Sequence, residues 1–524
     1  MEMQPRQRLE ALLLVGMVAI TRFGFRSHLL YDLDSVGFAL GIRHFDPRVY
    51  QPHPPGYFLY ICLGWLLNAG LHNANLALVV LSIVASCGTI FVIYRMALDW
   101  FGLNTARFAA ILFLFSPLAW FHGTVALTYS VEAFFSALLG YLCWRVYCGN
   151  WAWIVPAGLV LGISAGLRQS SLLFLGPLFL YSLRYATAKK RLAGLTALVL
   201  ALLAWFLPMI WASGGLGVYF GALFSLMRMV PAKNTVFNSS PATSIARACT
   251  IVFIYCLVFG AASLAPLGAR YRTAAIDAGK KIFTIAWITP ALLFFTFIFL
   301  QFVNSGYLLI LSAPACIWLG FWASEWYQNA ALRRTWKLAI VSVCAILNVV
   351  IFLFSPLYCS YRSVRRFESE LKNIQTTLPQ IANEQNTLII GFDSHFLGYR
   401  HAGYYLPGYF TVEYPEVKLM EGTRVFVMHD RATRLLAALP ATSCSRFILF
   451  PLPLGDAAYV KYVQGVEGRL QGETFRTIHA GGHDYVTGPI SALPKLFPAA
   501  ASQPVSGPHH SAVLSVNERI HRSK

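Results

Sequence analysis

Residues 31–60 read YDLDSVGFALGIRHFDPRVYQPHPPGYFLY. The stretch gathers three carboxylates (Asp32, Asp34, Asp46), two histidines (His44, His53) and two arginines (Arg43, Arg48). It closes on a stiff Pro54-Pro55-Gly56 turn, because each proline locks φ and disfavours helix at the residue before it. Hydrophobic segments lie on both sides. A loop that only connected two membrane helices would not need this chemistry. A site at a membrane face would, since clustered ionisable groups there are costly to hold and usually functional.

The composition around this stretch is that of a membrane protein. The chain has 524 residues, 57% hydrophobic and 12% charged, with a mean hydropathy of +0.58. Soluble domains carry about 25% charged residues. The net charge of +19 raises the question of nucleic acid. The basic residues, however, fall mainly in short loops between apolar runs, as membrane insertion dictates, so no nucleic-acid partner is expected. Leu9 to Ile20 lacks a small-residue cleavage site after it and reads as a retained first span.

A helix needs roughly 20 apolar residues to cross the hydrocarbon core. On that basis about eleven spans are expected, at 9–27, 76–98, 105–121, 127–147, 152–168, 170–186, 192–212, 248–269, 282–302, 306–325 and 338–357. Tyr57 to Leu71 is apolar but short, and reads as an interfacial helix. Arg6 and Arg8, Arg95 and Arg107, Lys189 to Arg191, the basic residues between 270 and 281, and Arg333 to Lys337 all fall on one side of such a bundle. By the positive-inside rule that side is the cytoplasm. The loop 28–75 that holds Asp34, the loop 213–247 and everything after Pro356 then lie outside.

The expected fold is therefore an α-helical polytopic membrane protein with a C-terminal extracytoplasmic α/β domain. Residues 1–357 form the membrane domain. Residues 358–500 form the outer domain, with an amphipathic helix over 362–386 and strands at 387–392, 424–428 and 447–450. Residues 501–524 read as a disordered tail. Of the ten cysteines, Cys359 and Cys444 lie clearly outside the spans, and no C-x-x-C spacing occurs.

Asp34 is the preferred catalytic residue. A carboxylate at the mouth of a bundle can take a proton from an acceptor hydroxyl. Asp32 and Asp46 compete for that role, and Asp32 or Asp34 could instead cap a helix starting near Ser35. His53 stands at the entrance to the helix after the Pro-Pro-Gly turn, with Arg43 in the same loop. Glu132, in the run Tyr129 to Glu132, is one of few carboxylates inside the bundle, and either a function or a structural ion pair would explain it. Arg168 falls at the outer face, where a guanidinium can hold a phosphate or snorkel to headgroups. Asn304 and Tyr307 also fall there and could line a pocket. Arg228, Lys233 and Arg247 are weaker candidates of the same kind. His395, His401, His429 and His483 match no zinc spacing. Asn238-Ser239-Ser240 is an N-glycosylation sequon. The chain has no G-x-x-x-x-G-K-[ST], H-E-x-x-H or G-x-S-x-G motif.

Five segments together carry a family resemblance: Asp34 in the first outer loop with QPHPPGYFLY at 51–60, SPLAW at 116–120 with YSVE at 129–132, GLVLGISAGLRQSS at 158–171, and GYLLILSAP at 306–314. They resemble the GT-C glycosyltransferase superfamily, particularly its protein-O-mannosyltransferase-like and bacterial RgtA/ArnT-like members, over roughly residues 9–357. The resemblance implies an enzyme of the cytoplasmic (inner) membrane. It would move a sugar from a polyprenyl-phosphate carrier to an acceptor glycan, lipid or protein outside the cytoplasm, with inversion. It also implies that the first-loop acidic residue, Asp34 here, is the catalytic carboxylate. The leaving phosphate would be stabilised by an arginine such as Arg168, by backbone donors or by a divalent metal. Apolar grooves would hold the polyprenyl chain among membrane lipid. The alternative class is a polytopic transporter or lipid flippase. It would explain the spans equally well, but not the reactive-looking first loop and the outer domain, and no inverted repeat is visible.

Overall fold

The computed structural model describes residues 3–229, 249, 277–298, 302–329, 332–355, 359–392, 394–413, 425–436, 444–451 and 475–492. Two compact units divide the chain between Lys372 and Asn373. The expected span 248–269, except for Cys249, lies outside the described residues. So do the Arg228 side chain, Lys233, Arg247, the Asn238 sequon and the tail 501–524.

The first unit is helical. Helix α1 (Pro5–Gly24) opens on a proline in its first turn, where the missing N–H costs nothing. Helix α2 (Leu33–Arg43) lies in the Asp34 loop, and everything from Ser35 to Ile42 on it is buried. Helix α3 (Phe58–Leu71) has 14 residues, about 21 Å at 1.5 Å per residue. That is short of the roughly 30 Å hydrocarbon core. Helix α4 (Ala74–Phe101) follows.

The apolar run expected at 105–121 is two helices, α5 (Leu103–Leu114) and α6 (Pro117–His122). The break falls at Ser116, which caps α6 through its hydroxyl ahead of Pro117. Next come α7 (Tyr129–Tyr147), α8 (Ile154–Leu167), α9 (Ser170–Leu183) and α10 (Ala188–Ala212). Helix α11 (Leu216–Met229) occupies part of the expected 213–247 loop. After it stand α12 (Ala278–Phe297), a 3-10 stretch (Phe302–Leu311), α13 (Ser312–Asn329) and α14 (Arg334–Phe354).

Among the described residues, five helical stretches are long and apolar enough to cross a membrane: Ala74–Phe101, Ala188–Ala212, Ala278–Phe297, Ser305–Gln328 and Arg334–Phe354. Helix α14 leaves Trp336, Leu338, Ile346 and Phe354 exposed. An uncovered apolar face of that kind belongs against lipid, and the protein is a multi-pass membrane protein.

Helix α15 (Tyr361–Ile381) carries the division between the units. Its first part belongs with the membrane unit, so that unit runs further than the 357/358 boundary expected from hydropathy.

The second unit contains one sheet with strand order β4-β3-β2-β1-β5-β7-β6. Its strands are β1 (Thr387–Gly391), β2 (Phe410–Glu413), β3 (Val425–His429), β4 (Ala432–Leu436), β5 (Arg446–Leu449), β6 (Arg476–Ala480) and β7 (His483–Pro489). Strand β1 runs parallel to β2 and β5, and the remaining pairs are antiparallel. Short helix α16 (Tyr399–Tyr405) lies in the β1–β2 connection. Leu388, Ile390, Val412, Phe447 and Leu449 build the core. Cys359 and Cys444 are free thiols.

Candidate active site

The site is assembled on α2. Asp32 is the N-cap of that helix, and its Oδ1 accepts the Asp34 N–H at 2.9 Å. This satisfies one of the donors a helix start leaves open. The Ser35 hydroxyl ties α2 to the Ala126 carbonyl at 2.9 Å. Upstream, the buried Glu368 carboxylate of α15 accepts the backbone N–H groups of His28 (2.5 Å) and Leu29 (3.3 Å). Arg365 pairs with Glu368 at 2.6 Å and donates to the Arg26 carbonyl at 2.5 Å. The Tyr31 hydroxyl donates to Ser363 Oγ at 3.0 Å. The strand of chain that delivers Asp32 and Asp34 is thus held from both sides.

Asp34 faces His53: Oδ1 lies 3.3 Å from Nδ1, and both side chains keep partial exposure, 24% and 22%. The other ring nitrogen, Nε2, lies 3.1 Å from the Tyr57 hydroxyl. The turn between them needs its sequence. Gly56 sits at φ +111° and Tyr57 at φ +46°, and the first of these is open mainly to glycine. The Pro55 carbonyl at the turn's apex accepts from Gln169 Nε2 (3.2 Å) and the Tyr219 hydroxyl (3.0 Å). Burial pushes the Tyr57 phenol well above its ordinary range, so it stays protonated.

Beside this triplet lies a buried ion pair. Arg168 Nε is 3.0 Å from Glu132 Oε2, with the side chains 6% and 1% exposed. That approach is close but not aligned as a hydrogen bond. Nη1 donates to Thr128 Oγ1 at 2.7 Å, and Nε to Ser170 Oγ at 3.3 Å. The Ser170 and Ser171 hydroxyls donate to Glu132 Oε1 at 3.0 and 3.3 Å. The guanidinium carbon stands 4.2 Å from the Tyr307 ring centre, 4.5 Å from Tyr129 and 5.9 Å from Tyr57, within cation–π range. Gly306 makes the packing possible: a Cβ there would come within 2.4 Å of the Tyr129 ring and 2.7 Å of His122 Cε1.

Of the residues singled out from sequence, Asp34, His53, Tyr129, Glu132, Arg168 and Tyr307 come together. Asp32 adjoins them as a cap. Asp46 is engaged in its own turn, as N-cap of a 3-10 turn at Pro47–Val49 and in a two-pronged pair with Arg48, both contacts at 2.8 Å. Arg43 is exposed at the C-terminal end of α2, about 13 Å along the axis from Asp34. The Asn304 side chain lies outside the described residues. Tyr57 and His122 are additions. His122 is wholly buried, 4.8 Å from the Tyr129 ring, and neither ring nitrogen has a hydrogen-bond partner among the described residues.

Among the described residues no three His, Cys, Asp or Glu side chains cluster as a metal-ligand set. Arg168 occupies much of Glu132, so Asp34 and His53 are the donors left at the surface of the site.

An apolar cavity of about 670 Å³ lies in the same unit. Tyr60, Val131 and Leu167 line it, each close in sequence to a site residue, and Arg95 and Tyr141 also face it.

Two solved structures of ArnT from Cupriavidus metallidurans share the fold. One is bound to undecaprenyl phosphate, with TM-score 0.52 and 11% identity, covering 95% of this chain and 99% of the other. The apo form has TM-score 0.54 and 11% identity, covering 94% and 99%. The fold is thus the GT-C fold. A Bacillus subtilis (strain 168) protein named "Putative mannosyltransferase YycA" is 26% identical over 166 residues, 30% of this chain. The match spans 24% of that relative's own length. No family model matches the chain.

Proposed function

We propose that this protein is a membrane glycosyltransferase. It moves a sugar from a polyprenyl-phosphate carrier to an acceptor hydroxyl on the extracytoplasmic side of the cytoplasmic membrane, inverting the anomeric centre. The observation that carries this reading is an accessible carboxylate, Asp34, joined through His53 to Tyr57, whose ring lies 5.9 Å from the buried Arg168 guanidinium. The GT-C fold, and a relative named for mannosyl transfer, support it.

The chemistry needs one base and one anion stabiliser. Asp34 takes the proton of the acceptor hydroxyl as its oxygen attacks the anomeric carbon. The bond from that carbon to the phosphate oxygen breaks, and polyprenyl phosphate leaves. A single displacement inverts the centre. Arg168 opposes the charge that develops on the leaving phosphate, and Glu132 and Thr128 keep it aimed rather than solvated. The apolar cavity beside Tyr60, Val131 and Leu167 receives the first isoprene units. The positive-inside bias of the basic loops supports an outer location for this site and for the sheet unit.

The test is transfer by purified protein in detergent, with a panel of labelled polyprenyl-phosphate sugars and acceptor envelope from cells lacking the protein. Asp34→Asn should retain its melting behaviour and lose roughly 10²–10⁴-fold in rate. Near-normal turnover by a folded D34N variant would remove Asp34 from the reaction.

A further inference from the structure

The His53–Tyr57 contact is unexplained by transfer as written above, which needs only a base. Histidine has two distinct ring nitrogens, and the proton's place is set by the partner of the other. Here one nitrogen faces a carboxylate and the other a phenol. Carboxylate Oδ1 can only accept, so Nδ1 must bring the hydrogen. Nε2 of the neutral ring must then accept, and the Tyr57 O–H is the donor in reach at 3.1 Å. Phe38, on the same face of α2, packs edge-on against Tyr57 at 5.2 Å and lies 6.3 Å from His53.

The backbone is shaped to deliver that hydroxyl. Tyr57 is a non-glycine residue in the left-handed region, φ +46°. Such conformations are unfavourable for a residue with a Cβ and persist where surrounding structure imposes them. Here the Pro55 carbonyl is held by Gln169 and Tyr219, and the Tyr57 ring rests by the Arg168 guanidinium. The strained residue therefore connects the two halves of the site, with its hydroxyl on the base side and its ring on the guanidinium side.

We propose that Tyr57 is a positioning residue: its hydroxyl fixes His53 in the Nδ1–H form, and His53 in turn orients the Asp34 carboxylate so that its second oxygen receives the acceptor's proton. This rests on the assignment of Asp34 as the base.

Three measurements test it. Selective ¹⁵N labelling of histidine reads the tautomer in the resting protein, without turnover. The His53 signal, assigned by its loss in H53N, should show a protonated Nδ1 and a bare Nε2, and Tyr57→Phe should mix the two forms. A protonated Nε2 in the unaltered protein would overturn the proposal whether or not transfer is detected.

The second uses shape. Asparagine carries its amide nitrogen where histidine carries Nδ1, and glutamine where it carries Nε2. His53→Asn should keep activity within about tenfold, and His53→Gln should lose about a hundredfold. The reverse order would place the useful nitrogen on the Tyr57 side and end the proposal.

The third is a cycle. Tyr57→Phe should lower kcat about tenfold, the size of one lost hydrogen bond, and leave the donor KM unchanged. In the H53N background the same change should cost nothing more. Equal cost in both backgrounds would mean that Tyr57 acts without His53. If instead D34N were fully active while the tautomer was as proposed, the base assignment would fail and the hydrogen-bond chain would stand.

Discussion

The buried pair Glu132–Arg168 has two jobs that can be separated. Removing one partner of a buried ion pair typically costs about 3–5 kcal/mol, because it strands the other charge. Arg168→Ala should therefore lower the unfolding temperature as well as activity. The double change E132Q/R168A removes both charges and should recover most of the thermal stability while remaining inactive. Transfer by the double variant would mean that Arg168 is a strut and not a phosphate partner. Both residues could be read from sequence, since an acid and an arginine near the outer ends of apolar runs need a reason to be there. Their pairing could not be read, because it joins the first turn of α7 to the C-cap residue of α8, and sequence spacing does not fix how those ends meet. Asp46 followed by Pro47 has the form of a cap before a proline at the first turn position, and capping is what it does. Tyr57 lay in the quoted stretch but reads as the first apolar residue of a helix. Its spacing of four from His53, across Pro-Pro-Gly, was the available signal.

Helices and turns bring these residues within reach, and small errors in them should be felt in the chemistry. Gly306→Ala would force a methyl against Tyr129 and His122, at separations no packed core holds. The variant should insert in the membrane and show at least a tenfold lower kcat/KM, measured against its own melting curve. Full activity would mean that the 3-10 stretch bears no weight in the site. Glu368→Gln keeps the size but weakens the grip on the His28 and Leu29 N–H groups and on Arg365. It should raise proteolysis in residues 26–31 and lower kcat, and an unchanged cleavage pattern would contradict that role. Element types followed from sequence where periodicity or length was decisive. Helix α3 was readable as too short to span, and strands β1, β3 and β5 lie within a residue or so of the expected apolar runs. The split at Ser116–Pro117 was signalled by the proline but masked by the apolar residues on either side. The β6–β7 hairpin turns on Gly481-Gly482, a pair that marks two-residue hairpins, and its strands were too polar to stand out by hydropathy.

For the molecule as a whole, the chain has the GT-C fold, as the family resemblance of its motifs implied. Sidedness follows from basic loops: a reporter active only in the cytoplasm, fused after Lys524, should be silent. A strong signal would put Asp34 on the wrong face. The sheet unit carries less information, because its strands specify packing and not an acceptor. The central claim is that the donor sugar arrives on lipid. The helical unit offers a buried guanidinium and an apolar cavity of about 670 Å³ lined by Tyr60, Val131 and Leu167. The decisive measurement is transfer by the purified protein given either a polyprenyl-phosphate sugar or the matching nucleotide sugar, in detergent free of other lipid carriers. Turnover with the lipid-linked donor alone is the predicted result. Turnover with the nucleotide sugar alone would contradict it.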